Sequence, residues 1–123
     1  MTADRAREIF DRNALCQDGS FRERLCEECC FSEEYFWEFY DSVITLAENT
    51  RENKVSVTDT AKILAVYDRV LEMFRLHCDP DEDIEIADLP EDPSGYLDRI
   101  DAAARFFLNG EPIDEDGFVL KRP

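Results

Sequence analysis

The chain is poor in residues that break helices and poor in positive charge. Four glycines and five prolines in 123 residues leave few turn formers, which favours helices over a many-turned β fold. Fourteen Lys and Arg stand against thirty Asp and Glu, a formal net charge of −16. That imbalance repels phosphate backbones and anionic lipid heads, so neither nucleic acid nor a membrane surface is an expected partner. No apolar run approaches the ~20 residues that a membrane span needs. Glycine-rich phosphate loops are missing, and there is one histidine. No Ser or Cys stands beside a second base in a pattern that activates a nucleophile. The sequence is poorly equipped for catalysis, and it assigns no catalytic residue and no cofactor.

Apolar material, by contrast, is ample. Hydrophobic residues make up 44% of the chain and aromatics 11%, with nine Phe, four Tyr and one Trp. That suffices for one core and is too much for a disordered tail. The length suits one helical domain over residues 1–123.

Five cysteines lie at positions 16, 26, 29, 30 and 78. The opening MTADRAREIF is charged and has no secretory pattern, so free thiols in a reducing, cytoplasmic setting are expected. Cys26, Cys29 and Cys30, with Cys16, His77 and Cys78, invite a zinc reading. A second CxxC knuckle is missing, and free cysteines also serve as small hydrophobes, so no metal is assigned. Asp79, Asp81 and Asp83 resemble the opening of a calcium loop. That loop needs Gly at its sixth position and Glu at its twelfth, where Ile84 and Pro90 stand.

Periodicity predicts a compact all-α bundle of about five helices. The first is capped by Thr2 or Asp4 and ends near Asn13. The second starts at the Ser20–Glu23 capping box and runs to about Cys30. A third starts after Ser32 and carries Phe36, Phe39, Tyr40, Val43, Leu46 and Ala47 at helical spacing. A polar connection, ENTRENKVSV, leads to a fourth helix capped by Thr58. Its stripe is Ile63, Val66, Tyr67, Val70, Met73, Phe74 and His77, and Asp79-Pro80 stops it. His77, at that C-terminal end, suits a capping or buried hydrogen-bonding role. Between Asp79 and Asp92 lie eight acids and no base, with Ile84, Ile86 and Leu89 pinning an ordered acidic loop. Asp92-Pro93 starts the last helix, whose inner face is Leu97, Ile100, Ala104, Phe107 and Leu108, and Asn109-Gly110 ends it. The C-terminal tail is expected to dock through Ile113, Phe118, Val119 and Leu120.

Two acidic surfaces are candidate partner-binding sites. The first is the loop set Asp81, Glu82, Asp83 and Glu85. The second is Glu34, Glu38 and Asp41, on one face of the third helix, together with Trp37. Tyr35 and Trp37 point away from the positions that fill the core, and such aromatics are favoured in binding hot spots; they equally fit beneath the second helix. Glu34, Glu38 and Asp41 also allow a magnesium-dependent nucleotide pyrophosphatase, though no matching acids stand on the second helix, and a solvated amphipathic face accounts for them better.

His77, Asp79, Pro80 and Asp81, the hydrophobic alternation Ile84, Ile86 and Leu89, and a closing helix ending in Phe106-Phe107 before Gly110 and Pro112 form a distinctive order. It resembles immunity proteins of bacterial polymorphic toxin systems over roughly the last two thirds of the chain. The resemblance implies a cytoplasmic protein that binds a cognate toxin domain and blocks it. The expectation from charge agrees: an acidic surface would meet a basic toxin face through steered, fast association. A nucleic-acid mimic that inhibits a nuclease is a second reading with the same acidity. Composition leaves the oligomeric state open.

Overall fold

A computed structural model describes residues 1–50 and 55–123. It is an all-α bundle of five helices: α1 (Ala3–Ala14), α2 (Phe21–Cys26), α3 (Glu33–Thr50), α4 (Val57–Cys78) and α5 (Ser94–Asn109), followed by a 3-10 turn (Glu115–Gly117). Each start has a local cause. Thr2 Oγ1 accepts from the Arg5 N–H at 3.2 Å, Ser20 Oγ from Glu23 at 3.1 Å, and Ser32 Oγ from Tyr35 at 3.3 Å. These bonds satisfy donors that the first helical turn leaves unpaired. On α4 that role falls to Ser56, whose Oγ accepts from Asp59 at 3.0 Å. Thr58, the expected cap, already lies inside the helix. Part of the polar connection, residues 51–54, lies outside the described residues.

α3 runs through the middle, with α1 and α5 packed against it; α4 closes the bundle against α1, α2 and α5. The core is one continuous cluster drawing side chains from all five helices. At its centre the Phe36 ring meets Phe21 at 5.5 Å, Trp37 at 5.1 Å and Tyr96 at 4.8 Å, each nearly edge-on. Phe31 joins this group through Tyr96 at 4.9 Å. Edge-to-face contacts of this kind add to the stabilisation from burial alone.

Three boundaries or faces differ from those the sequence suggests. α2 stops at Cys26 rather than near Cys30, because Cys29 adopts φ +50 and the chain turns to run beside the acidic loop. The inner face of α5 is turned, so Tyr96, Arg99, Ile100, Ala103 and Phe107 are buried while Leu108 is exposed. Reaching Phe31 and Phe36 with Tyr96 requires that rotation. In the tail, Phe118 and Leu120 face inward, but Val119 is 92% exposed. Leu120 seats against α5 at Gly95, where a side-chain Cβ would come within 2.9 Å of the leucine Cβ. Gly110 ends α5 as expected, in the left-handed region with φ +69.

Arg7 ties α1 to the first turn of α4 with a two-pronged bond to Asp59, at 2.8 and 2.9 Å. That hydrogen bond holds the Asp59 carboxyl below the ordinary carboxylate range, against an opposing push from burial. A lowered folded-state pKa stabilises the fold above the unfolded pKa and stops doing so as pH falls through the folded value. The pair is therefore expected to help at neutral pH and to lose that help progressively as pH falls below about 4 toward the lowered folded value. Arg7 is more than a third exposed, so solvent screening holds the contribution to about 0.5–1 kcal/mol. Urea melts of Asp59→Asn should show that deficit at pH 7 and a smaller one at pH 2; an equal deficit at both would disprove the assignment.

Candidate functional site

The acidic loop is held in place from three sides. Ile86 is buried among the core residues, with Ile84 and Leu89 packed against them. The Ile86 N–H donates to His77 Nδ1 at 3.0 Å, which pins the loop to the end of α4. The Ala87 N–H donates to the Cys29 carbonyl at 2.8 Å, and the Phe31 N–H donates to the Ala87 carbonyl at 2.9 Å. Together these make a short parallel bridge between the cysteine-rich segment and the loop. Asp88, beside it, takes φ +58, a left-handed conformation that Asp adopts more readily than most residues.

This anchoring leaves the acids outside. Asp81, Glu82, Asp83 and Glu85 are all exposed, and among the described residues none of them forms an ion pair. Arg75 is the near cation; it is already bound by Glu72 at 2.8 Å and lies 3.9 Å from Asp79. A hollow of about 370 Å³ opens beside the loop, lined by His77, Cys78, Ile86, Asp88, Leu89, Pro90, Glu91 and Pro93. Asp88 and Glu91 give its lining acidic charge and Ile86, Leu89 and the prolines give it apolar surface, while Asp81, Glu82, Asp83 and Glu85 lie outside it. A basic side chain with an aliphatic stem has the matching chemistry. A larger cleft of about 470 Å³, between Tyr40, Ile44, Phe106 and the tail, shares no residue with the loop.

The second candidate set is divided by the structure. Glu34 is exposed. Glu38 accepts from Arg5 of α1 at 3.0 Å, and Asp41 holds Arg122 of the tail. These two carboxylates fasten neighbouring segments to α3, so each already carries an arginine that magnesium would have to displace. Trp37 is only 7% exposed and packs against Phe36, Tyr40 and Tyr96, with its Nε1–H directed at Glu33. It is a core residue and presents no ring to a partner, because the rotated α5 and the tail cover that side of α3.

All five cysteines are free. Burial pushes the Cys16 and Cys26 thiols up, so they stay protonated and poorly nucleophilic near neutral pH. Among the described residues, no group of three His, Cys, Asp or Glu side chains is arranged to hold a metal ion.

The structure also shows a constellation absent from the sequence reading. Arg99 is fully buried. Its Nε and Nη2 donate to the Leu120 carbonyl at 3.1 and 2.7 Å, and its Nη1 donates to Glu115 at 2.6 Å and to the Tyr40 hydroxyl at 3.3 Å. The Phe118 ring lies 3.9 Å from the guanidinium carbon. This arginine locks the tail onto α3 and α5. Its one sequence signal is a charged residue falling on the apolar period between Tyr96 and Ala103. Nothing in the residue types of Cys29–Phe31 foretells their backbone role.

Comparison with protein-family models, with curated proteins and with solved structures finds no match. Among the described residues, no helix is long and apolar enough to cross a membrane.

Proposed function

We propose that this protein is an immunity-type inhibitor that binds a cognate bacterial toxin domain in the cytoplasm and blocks it by covering a basic face. The observation that carries this reading is the exposed, unpaired set Asp81, Glu82, Asp83 and Glu85 on a loop fixed by Ile86, His77 and the Cys29–Phe31 backbone. A surface that is ordered before binding loses little entropy on docking. Its uncompensated charge steers a basic partner toward it. The hollow farther along the same loop, lined by Asp88 and Glu91 among others, offers a seat for one long basic side chain.

Glu38 and Asp41 are occupied by arginines, so they add little to such an interface. Glu34 is exposed and remains available.

The test starts from the tagged protein in its native cells. Stoichiometric co-purification of a toxin domain encoded nearby is the expected result; recovery of a nuclease complex from another locus would instead mean nucleic-acid mimicry. With the partner in hand, Asp81→Lys with Asp83→Lys should slow association roughly tenfold or more at low salt, with the difference shrinking as salt rises. An association rate unchanged at low salt would remove the loop from the interface. Dissociation is expected to change less, because exposed charges act mainly on encounter.

A further inference from the structure

α4 packs one side against the core and leaves an apolar stripe on the other. Val57, Leu64 and Leu71 are 87%, 53% and 38% exposed, and Cys78 is exposed as well. They recur every seven residues along the longest helix. A strict seven-residue repeat drifts only about 20° per step around an α-helix, so the four positions keep to one face. Asp68 and Arg75 lie on that same face, four residues beyond Leu64 and Leu71.

Charge separates this face from the rest of the molecule. The stripe carries one acid, Asp68, and one base, Arg75, a balance of zero within a chain of net −16, while Asp59 and Lys62 of the same helix are turned to α1, where they bind Arg7 and Asp11. A basic partner finds no net attraction here. A second copy of the chain, which the overall charge repels, meets the least local repulsion here, because salt screens the more distant carboxylates.

We propose that α4 pairs with α4 of a second copy in an antiparallel, two-fold dimer with Leu71 on the axis. In that register Leu64 of each copy meets Cys78 of the other, and Asp68 comes beside Arg75 of the other, whose guanidinium is also bonded to Glu72 of its own helix. Such self-complementary pairing is what a two-fold interface demands. A parallel pair would set Asp68 against Asp68 and place the two acidic loops side by side. In the antiparallel pair the two Cys78 positions lie about 21 Å apart along the axis, seven residues at ~1.5 Å on each side, which exceeds the screening length in physiological salt. Opposed helix dipoles act in the same direction. One helix pair buries less area than a standard stable interface, so dissociation in the micromolar range is expected. This inference does not rest on the role given to Asp81, Glu82, Asp83 and Glu85, although Cys78, which Leu64 of the second copy would cover, also lines the hollow beside the loop.

Sedimentation across the micromolar range should show the mass rising from 14.3 kDa toward twice that value. Leu64→Glu with Leu71→Glu should abolish the rise, with the helical circular dichroism retained. In a Cys78→Ser background, Leu71→Cys should cross-link on mild oxidation, whereas Leu108→Cys, an exposed leucine on α5, should not. A wild type that stays at 14.3 kDa, a glutamate variant that still doubles, or equal cross-linking from positions 71 and 108 would each overturn the proposal.

Discussion

Phe36→Ala is expected to lower the unfolding free energy by about 3–5 kcal/mol, the usual cost of emptying a large buried aromatic site. Phe36 is fully buried, and its ring contacts Phe21, Phe31, Trp37, Tyr40 and Tyr96. Those partners come from α2, the segment before α3, α3 itself and α5, so no single helix can shift to fill the space. At roughly 3–4 °C per kcal/mol for a chain of this size, the thermal midpoint should fall by about 10–20 °C. Phe36→Leu keeps much of the apolar area and should lose clearly less. A loss below about 1 kcal/mol for the alanine variant, within the range of ordinary surface substitutions and small repacking, would show that the aromatic cluster is not the centre of stability.

The second large effect is expected at Arg99. Removing one partner of a buried ion pair costs about 3–5 kcal/mol when the other charge is stranded. Here Glu115 is 51% exposed and can turn to water, which reduces the expected loss for Arg99→Ala to about 2–4 kcal/mol. The variant also leaves the Leu120 carbonyl without its two donors and Phe118 without the cation beneath it. The tail should therefore detach while the bundle persists. Trp37 is the only tryptophan, and it lies under Arg99 and Arg122 at 5.4 and 5.6 Å. Its emission should shift to the red, and limited proteolysis should cut between residues 111 and 123. Arg99→Lys should rescue little, since an ammonium cannot reproduce the planar fork that grips a carbonyl and a carboxylate together. If Trp37 emission and tail protection are unchanged in Arg99→Ala, the tail is held by Phe118 and Leu120 packing alone.

These two sites mark the limits of what could be read in advance. Helix content, the caps at Thr2 and Ser20, the stop at Asp79-Pro80 and the end at Gly110 are local properties, set by residues within a turn of one another. A hydrogen-bonding role for His77 was legible from its place at a helix end, but its partner, the Ile86 N–H nine residues on, was set by how the loop folds back. Leu64 and Leu71, the seven-residue stripe aside, show how one helix can be periodic twice, and only packing tells which stripe faces inward.

Composition and short-range pattern are enough to specify an acidic, helix-rich chain with an aromatic-rich core and an ordered loop crowded with carboxylates. Tertiary structure alone decided which carboxylates are free. Glu38 and Asp41 look as available as Asp81 and Asp83 along the chain, yet Arg5 and Arg122, from distant segments, neutralise them. The same holds for Trp37, covered by the rotation of α5, and for the cysteine segment, bent away from α2 to bond Ala87. The physical reason is common to all of them. Periodicity and capping act over three to seven residues, whereas ion pairing, burial and bridge formation depend on which distant segments the fold brings within a few ångströms.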